Sequence, residues 1–413
     1  MVVQSQEIPR VRLPPTSTAF TLLLGLLVAL PSFGIDMSLP ALTSVGAALG
    51  VAPERAGLMM SLFMLGFAVA PLFYGPVSDR YGRKPVVVFA CTLFAIAGIG
   101  CAFARSLPTL LVWRVVQGAG AGASMTITLA IVRDLFEGRA AATMLSRLFL
   151  VMGVAPVLAP TIGGEILRFT SWRGVFAVLA VYGLVVLAVG TLALRETLPP
   201  ARRHRGGIAD SLRTYGGLFR DRRYVGLILV AGLTMAALFT YVSGSSFVYQ
   251  REFGLDEQQF GLLFGAGAVW LISGTQLNPV LLRRWSPAQI LVTGTIAGTT
   301  AGAVLVVLAG AHIGGLAGIV APLWAVLFAA GVALPNAPAL ALADYAASAG
   351  SAAALLGAVQ FGVGAAVSPL VGLLGNDAVA MGAVIVTALL LAVAVLLLVV
   401  RPWQLAEPQA ELA

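Results

Sequence analysis

Long apolar stretches follow one another along almost the whole chain, and they restrict its fold more than any other feature. A helix that crosses a bilayer needs about 20 mainly apolar residues. Hydrophobic residues make up 59% of the chain and charged residues 10%, with a mean hydropathy of +0.97, which excludes a soluble protein. The sequence therefore predicts an all-α membrane protein with about twelve transmembrane helices and no room for a sizeable soluble domain. The stretches begin near Thr18, Glu54, Pro85, Pro108, Ala141, Trp172, Tyr224, Glu257, Pro287, Ile313, Gly350 and Val379.

The chain carries a formal net charge of +8, and the positions of its basic residues explain that charge. Of the 25 lysines and arginines, about 19 lie on the terminal segments and the even-numbered connections, which the positive-inside rule assigns to the cytoplasm. We therefore predict that both termini are cytoplasmic and that the charge reflects topology rather than a nucleic-acid partner. Contact with anionic lipid is an additional use that these residues allow.

Disulfide bonding, metal binding and enzymatic catalysis have no support in the residues. Cys91 and Cys101 would lie about 15 Å apart along one helix, which is too far for a disulfide. His204 and His312 stand alone, so neither a metal site nor a histidine-based catalyst is indicated. We expect no metal, no cofactor and no enzyme activity.

The chain divides near its middle. Between residues 195 and 223 the composition changes to arginine, glycine and short polar runs, and two consecutive prolines end the sixth stretch. This change predicts a first half over residues 1–198, a cytoplasmic linker over residues 199–222 and a second half over residues 223–413. The segment from Ile208 to Leu218 has the apolar spacing of a short helix on the membrane surface, and a disordered linker is an equal alternative.

The two halves contain matching motifs, as the internal repeats of transporters do. The glycine and proline pattern from Gly153 to Gly163 in the fifth stretch recurs from Gly362 to Gly372 in the eleventh. A weaker match places Asn278 of the second half where the first half has Asp79.

A short connection between the second and third stretches contains four charges in the run Gly75-Pro-Val-Ser-Asp79-Arg80-Tyr-Gly82-Arg83-Lys84. An ordinary basic connector is the alternative, but the positive-inside rule does not require the two glycines or the acid. The pattern G-x-x-x-D-R-x-G-R-K resembles the loop motif of the major facilitator superfamily of transporters. The resemblance implies two pseudo-symmetric six-helix halves with the substrate held near the midplane between them. It also implies a conformational latch for the outward-facing state, formed by Gly75, Asp79, Arg80, Gly82, Arg83 and Lys84.

Two ionisable residues inside apolar stretches are the best pointers to function, because a charge in the bilayer is costly unless it faces water or a partner. Asp36 lies late in the first stretch, which has no signal-peptide cleavage site and is expected to remain a helix. It is a candidate proton carrier, and a place at the outer interface is the alternative. Arg114 lies about a third of the way along the fourth stretch, before a run of small residues, which predicts a guanidinium that turns inward. Snorkelling to the interface is the alternative for Arg114.

Glycines and prolines recur through the fifth stretch, at Gly153, Pro156, Pro160, Gly163 and Gly164. Glycine permits close helix contact and proline bends a helix, so the string predicts a tight, water-excluding seam between the halves. Generic small-residue packing is the alternative for each glycine alone. The string resembles the motif of the antiporter branches of the superfamily, which symporters and uniporters generally lack.

Further segments resemble the Bcr/CflA subfamily of drug:proton antiporters, which includes bicyclomycin and chloramphenicol-type exporters. The resemblance extends from the first stretch to the eleventh and departs at Ser38, where an aromatic residue is common, and at Pro338. These departures concern the shape of the cavity and hence the substrate. The segments that carry the resemblance are residues 36–42, 132–136, 243–248, 335–340 and 350–357.

The resemblance implies a proton-coupled antiporter that exports small amphipathic drugs or antibiotics across the bacterial inner membrane by alternating access. Asp36 matches the acid that exchanges protons against substrate, and Arg114 matches the arginine that supports this exchange. Protons are the coupling ion, and the expected partners are a small-molecule substrate and the lipid bilayer, with no nucleic acid and with the chain working as a monomer. Candidates for the cavity wall, each also compatible with plain packing, are Tyr241, Phe247, Asn278, Gln360 and Phe361.

Two alternative functions stay open. A native metabolite, such as an amino acid, a nucleobase or a sugar, is an alternative substrate on the same fold. A sensor or scaffold that has lost turnover is an alternative of a different class. The joint presence of Asp36, Arg114 and the loop motif counts against that second alternative.

Overall fold

A computed structural model of the chain describes residue 14, residues 17–200, residue 203, residues 208–345 and residues 349–404. These residues form helices joined by short connections, and no β-strand occurs among them. In this described part, 12 helical segments are long and apolar enough to cross a membrane. The predicted all-α membrane fold with twelve spanning helices is therefore confirmed.

Each half contributes six spanning segments. The helices of the first half are α1 (Thr18–Asp36), α2 (Leu42–Leu49), α3 (Pro53–Tyr81), α4 (Arg83–Ala102), α5 (Leu107–Leu135), α6 (Gly138–Phe169) and α7 (Trp172–Ala193), of which only α2 is too short to span. A linker helix and the second half follow as α8 (Ile208–Leu218), α9 (Arg222–Ser246), α10 (Glu257–Leu281), α11 (Pro287–Gly310), α12 (Gly315–Ala333), α13 (Asn336–Leu342), α14 (Ala349–Val367), α15 (Leu370–Leu373) and α16 (Ala378–Val395). Two π-helical segments, Phe247–Glu252 and Leu396–Val400, extend α9 and α16, and a single 3₁₀ turn follows at Pro402–Gln404.

Local sequence signals determine where several helices begin. Asp256 precedes α10 and Ser286 precedes α11, and both form capping boxes in which a glutamine three residues later bonds back to the cap. Gly82 joins α3 to α4 with a φ of 103°, a conformation that strains any residue with a Cβ. The loop motif therefore has glycine at this position because one residue must reverse the chain between two spanning helices.

Two spanning segments of the second half are interrupted by proline. Pro335 separates α12 from α13, and Pro369 separates α14 from α15. Because proline has no N–H to donate, the helix breaks or kinks at these points and leaves backbone carbonyls to be satisfied in another way. Asn336 satisfies one of them by donating to the Val332 carbonyl oxygen at 2.9 Å.

Glycines allow the closest helix contacts in both halves. α3 and α5 cross where Gly66 and Gly118 each lie against the backbone of the other helix, and α10 and α12 cross in the same way at Gly274 and Gly331. Helices in lipid associate largely through such close packing. The second and fourth spanning helices of each half therefore meet alike, which agrees with the predicted repeat.

The membrane-spanning region has two faces, which we name by the residues found there. The Asp36 face is the end where α1 finishes, and the Arg83 face is the opposite end, where α3 meets α4. The segment Ile208–Leu218 forms α8, and Tyr215 and Leu218 of this helix are buried against the second half. The terminal segments that entered the topology prediction, and the basic run at 202–207 apart from Arg203, lie outside the described residues.

The α3–α5 crossing predicts a difference between two glycine substitutions. Gly118→Ala should destabilise the protein by about 1–3 kcal/mol, because a Cβ would overlap the Phe63 backbone of α3. Gly357→Ala on α14 is the matched control, because its Cβ would have no neighbour within 4 Å and alanine is the better helix former. Thermal unfolding of the two purified variants in detergent tests this expectation. Equal Tm values would contradict it.

Candidate functional site

Arg114 of α5 is completely buried inside the first half. Its Nε donates to the Met59 carbonyl oxygen at 3.1 Å, and one Nη donates to the Gly34 carbonyl oxygen at 2.9 Å. The same Nη donates to Oε1 of Gln117 at 2.8 Å, and the Phe63 ring centroid lies 4.4 Å from Cζ. Among the described residues, no carboxylate forms an ion pair with this guanidinium. Backbone carbonyls, an amide and an aromatic face hold it instead.

The Gly34 carbonyl is available to Arg114 because α1 ends nearby. The N–H of Ser38 bonds to the Ile35 carbonyl oxygen at 3.3 Å, so Gly34 has no backbone N–H partner four residues ahead. The C-terminal end of a helix also carries partial negative charge, which stabilises a nearby cation. An unpaired guanidinium in the interior would otherwise be strongly destabilising. The end of α1 therefore supplies Arg114 with a hydrogen-bond acceptor and partial negative charge, in place of a carboxylate partner.

Asp36 is the last residue of α1 and is only 6% exposed. Among the described residues, its carboxyl group takes part in none of the ion pairs. Leu39, three residues farther along the chain, accepts a hydrogen bond at its carbonyl oxygen from the Ser246 hydroxyl of α9 at 3.0 Å. Asp36 therefore lies at the boundary between the halves, whereas Arg114 lies inside the first half.

The loop residues form a charge network at the Arg83 face. Arg83 donates from one Nη to Asp79 at 2.5 Å and to the Ser78 hydroxyl at 2.6 Å, and its Nε donates to Asp134 at 2.8 Å. The Arg83 side chain is 9% exposed, so solvent screens these contacts less than it screens a surface salt bridge. Arg83 therefore joins the ends of α3, α4 and α5.

Glu196, which follows α7, completes this network. Its carboxylate accepts hydrogen bonds from the N–H groups of Arg83 at 2.7 Å and Lys84 at 3.3 Å. These groups form the N-terminus of α4, where the helix dipole favours an anion. A Cβ on Gly82 would overlap the Glu196 carboxylate, which is a second reason for glycine there. Lys84 Nζ donates to the Thr191 carbonyl oxygen of α7 at 2.8 Å.

Of the two remaining loop residues, Gly75 supports this network through its carbonyl oxygen, which accepts the Ser78 hydroxyl at 2.8 Å, and the Arg80 side chain lies outside it. The exposed Arg80 lies over the Tyr81 ring, with Cζ 5.4 Å from the centroid. A Cβ on Gly75 would meet nothing within 4 Å. All polar contacts of the loop motif that the described chain contains are made within the first half.

The two halves meet at the Asp36 face. α3 packs on α14, α6 packs on α10, and α2 contacts the π-helical segment that follows α9. Within the described residues, the hydrogen bonds that join the halves are neutral and lie at this face. One links the hydroxyls of Ser61 and Ser368 at 3.0 Å, and the others link Ser246 and Gln250 to residues 39–43. The ion pairs of the same residues all lie within the first half.

The glycine and proline string of α6 has its close contacts near the Asp36 face. A Cβ on Gly164 would lie 2.7 Å from the Glu257 carbonyl oxygen of α10, and Gly163 lies against the Met37 carbonyl of the first half. Gly164 therefore touches the second half, and Gly163 touches the segment that follows Asp36.

Toward the N-terminal part of α6, the contact between α6 and α10 becomes looser. Pro160 lies against Gly261, whose Cβ would be 3.0 Å from the Pro160 carbonyl oxygen. Pro156 is half-buried. A Cβ on Gly153 would meet only the Ile272 side chain, at 3.7 Å. The tight part of this contact is thus at Pro160 and Gly164, and the predicted string is looser at Gly153.

Aromatic cavity candidates line the region between the halves. Tyr241 donates its hydroxyl to the Phe264 carbonyl oxygen at 3.3 Å, and the two rings stack with centroids 5.0 Å apart. Phe361 of α14 meets Phe67 of α3 edge-on, with centroids 4.6 Å apart, and also packs near Phe239. Phe361 therefore bridges the two halves.

The other candidates take different positions. The Phe247 ring lies near Gly57 of the first half. Gln360 of α14 is nearly buried. Asn278 accepts a hydrogen bond from Asn336 Nδ2 at 2.9 Å. This bond places Asn278 in a contact between α10 and α13 rather than on a cavity wall.

Asp221 and Tyr345 form a clasp at the start of α9, outside the spanning segments, and the pKa of each group is shifted. Asp221 caps α9 and accepts a hydrogen bond from the Tyr345 hydroxyl. Partial burial raises the pKa of Asp221, but the bonds from Tyr345 and from the N–H groups of Arg223 and Tyr224 outweigh it and lower this pKa overall. Burial and the bond to Asp221 raise the pKa of Tyr345 to about 12. The clasp therefore stabilises the fold above the acidic range and weakens as pH falls through the lowered pKa of Asp221.

Sequence reasoning missed the partners of the predicted residues. Asp134 and Glu196 both accept hydrogen bonds from Arg83. Each is an acid in an otherwise basic connection at the Arg83 face, and that contrast was the sequence signal for both. Gln117 follows Arg114 by three residues, which places it on the same helix face. Gln250 carries no local signal. No group of three or more His, Cys, Asp or Glu side chains in the described chain is placed to hold a metal ion.

Comparison with known proteins identifies the family. The sequence model described as Major Facilitator Superfamily matches residues 24–369. The chain is 35% identical over 368 residues to the uncharacterized MFS-type transporter YdgK of Bacillus subtilis, covering 89% of this chain and 91% of that protein. It is 30% identical over 382 residues to the bicyclomycin resistance protein homolog of Haemophilus influenzae, covering 90% and 94%. Multidrug resistance protein MdtL of Klebsiella pneumoniae is 31% identical over 292 residues, covering 70% and 73%.

A solved structure agrees in fold. The bacterial homolog to the human lysosomal transporter Spinster, in an inward-facing and occupied conformation, has a TM-score of 0.75 at 17% identity, covering 94% of this chain and 98% of that one. The predicted resemblance to drug-exporting relatives is confirmed by the names of the similar proteins, and the chain is a transporter rather than an enzyme. On its family match, its relatives and its twelve spanning helices, the chain belongs to the major facilitator superfamily.

Proposed function

We propose that this protein exports small amphipathic compounds, including antibiotics, across the bacterial inner membrane in exchange for protons. The observation that carries the proposal is Asp36, a buried carboxyl group at the boundary between the halves that forms no ion pair with the described residues. An ionisable side chain inside the membrane lowers the stability of the fold, so its presence there indicates a functional role. It sits two residues from the backbone that holds Arg114. The relatives named for bicyclomycin and multidrug resistance support the choice of substrate.

The proposed cycle uses the two faces in turn. A cytoplasmic position for the Arg83 face and for both termini is supported by the positive-inside rule, because basic residues are concentrated on the connections at that face. The halves then meet on the outer side, and the substrate enters from the cytoplasmic side. Substrate and proton compete for the cavity beside Asp36, so that loading one releases the other. Rocking of the halves then exposes the cavity to the outside. One chain contains every group named here, so the proposed working unit is a monomer.

The proposed substrate surface is apolar with few polar anchors. Phe67, Phe239 and Phe361 form an aromatic cluster between the halves, and Gln360 offers an amide. Aromatic faces bind planar or branched apolar groups without strict geometry. Such a surface suits compounds that differ in shape but share an apolar body.

Transport by everted membrane vesicles tests the proposal. Vesicles that contain the protein should accumulate bicyclomycin, chloramphenicol or another amphipathic compound when they respire, and an uncoupler should abolish the uptake. A panel of amino acids, nucleobases and sugars belongs in the same assay. Uptake of one of these alone would replace the drug by a metabolite as substrate. Uptake that continues in the presence of the uncoupler would contradict the proposed coupling to protons.

Asp36→Asn should abolish proton-driven uptake while leaving the protein folded. The amide is nearly isosteric with the carboxyl group but cannot carry a proton. Uptake of an uncharged compound driven by a pH gradient alone is the measurement, with size-exclusion profiles as the folding control. Wild-type uptake by the variant would mean that another group carries the proton.

Asp134→Asn should shift the balance between the state that is open at the Arg83 face and the state that is open at the Asp36 face. The change removes one of the two carboxylates that hold Arg83, and typical coupling energies suggest a shift of about 1–3 kcal/mol. Distances between spin labels at the exposed Arg195 and Trp285 would report it. Glu165→Gln is the control, because it breaks an exposed ion pair, whose expected contribution is small. An identical response of both variants would argue against the latch.

Gly164→Leu should produce a proton leak, and Gly153→Leu should leak less. A side chain at Gly164 would displace the Glu257 backbone of α10, whereas Gly153 faces only a flexible side chain at 3.7 Å. Proteoliposomes that contain a pH-sensitive dye, without drug, measure the leak. Equal leaks from the two variants would show that the seam is not localised at Gly164.

A further inference from the structure

The segment that follows α1 is held at one end by the second half. Gln250 lies in the π-helical segment Phe247–Glu252. Its Oε1 accepts a hydrogen bond from the Thr43 hydroxyl at 2.9 Å, and its Nε2 donates to the Pro40 carbonyl oxygen at 3.3 Å. Ser246 donates its hydroxyl to the Leu39 carbonyl oxygen at 3.0 Å. We call these contacts the Gln250 clasp and residues 34–40 the Asp36 turn.

The other end of the Asp36 turn is held by Arg114. One Nη of Arg114 donates to the Gly34 carbonyl oxygen at 2.9 Å, and the other lies 3.4 Å from the Ser38 hydroxyl. Asp36 lies between these attachments, and its own carbonyl oxygen accepts the N–H of Leu39 at 3.2 Å. Leu39 is the residue whose carbonyl Ser246 binds. The ionisable carboxyl group, the buried cation and the contact between the halves therefore share one short turn.

The π-helical geometry explains how Gln250 reaches this turn. A π segment is wider than an α-helix and is found mostly where a side chain is redirected for function. Here it directs the Gln250 amide toward the first half, where both ends of the amide are used. Nε2 also lies 3.4 Å from the Ser246 hydroxyl within the second half, but the bonds to Thr43 and Pro40 exist only while the halves are in contact at the Asp36 face, because both residues belong to the first half.

We infer that Gln250 is a positioning residue that couples the charge of Asp36 to closure of the Asp36 face. A change of charge on Asp36 alters its electrostatic interaction with the partial negative charge at the end of α1, so the Asp36 turn moves. The carbonyl groups of Leu39 and Pro40 move with it, and the Gln250 clasp forms or breaks. The inference rests on the proposed function in one respect, namely that Asp36 exchanges protons during the cycle.

Few other groups around the Asp36 turn titrate or carry charge. Arg114 comes from α5, and the buried free Cys101 of α4 lies near it. Tyr182 of α7 donates to the Leu26 carbonyl oxygen of α1. Tyr241 and Tyr249 come from the second half. The residues of α3 and α6 that pack on the turn are uncharged, namely Met59, Met60, Phe63 and Gly163. A pH response of the turn is therefore assigned to Asp36 and is checked with Asp36→Asn.

Spin labels across the Asp36 face provide the test. Phe169 of the first half and Leu373 of the second are 80% and 79% exposed, and cysteines at these sites can be labelled because Cys91 and Cys101 are buried. Distances are measured in nanodiscs between about pH 5 and about pH 9, a range in which carboxyl groups at functional sites exchange protons. The proteins are the labelled wild type, Asp36→Asn, Gln250→Leu, Thr43→Val and the control Gln258→Leu. Gln258 is an exposed glutamine near the same face.

We expect the wild type and Gln258→Leu to change their closed fraction with pH, and Asp36→Asn to lose that change. Gln250→Leu should lower the ratio of closed to open protein by about threefold to tenfold, the effect of one or two neutral hydrogen bonds, and should lose most of the pH response. Thr43→Val removes one bond of the same clasp with an isosteric side chain. It should act in the same direction, and it provides the test if Gln250→Leu does not fold.

Each outcome separates this inference from the proposed function. A wild-type pH response in both Gln250→Leu and Thr43→Val would overturn the inference, even if drug uptake proves to be proton-driven. A wild-type protein without any pH response would also overturn it. If the distances follow pH and depend on Gln250 but no compound in the uptake panel is transported, the coupling stands and the assignment of substrate fails.

Discussion

A guanidinium in the middle of a membrane protein needs acceptors, and the end of α1 supplies them to Arg114. The helix stops at Asp36, so the Gly34 carbonyl lacks a backbone N–H partner and accepts one from Arg114. This contact links α5 to the segment that carries the buried acid. The positions of Asp36, of the Asp36 turn and of the contacts with the second half all depend on it. Arg114 therefore organises the site from inside the first half without touching the second.

The two faces of the molecule are held by different chemistry. At the Asp36 face the halves meet through neutral hydroxyl, amide and carbonyl groups. At the Arg83 face the charged network stays within the first half. Neutral bonds between surfaces that must separate can be exchanged for water at little net free energy, whereas a partly buried ion pair is costly to break. This difference lets one face open while the first half keeps its shape.

The repeat of the halves is preserved in packing but not in charge. Asn278 and Asn336 bond to each other in the second half, where the first half uses Arg83 between Asp79 and Asp134. An amide pair holds two helices without a cation and is insensitive to salt. The charged network belongs to one half only, so ionic strength should act on the two halves unequally.

Much of this protein is already determined by its sequence. Hydrophobicity is a local property, so twelve spanning helices, Asp36, Arg114 and the loop motif are predictable from short windows. Glycine at Gly82 follows from a turn that no other residue makes without strain. The partners of these residues were decided by the tertiary structure, because a hydrogen bond between helices depends on how the helices cross and rotate. Gln250 shows this clearly, since no neighbouring residue reveals that a glutamine near the end of α9 binds a turn more than 200 positions earlier. Asn278 and Gly153 show the reverse case, in which a sequence pattern identified the residue but only packing determined its role.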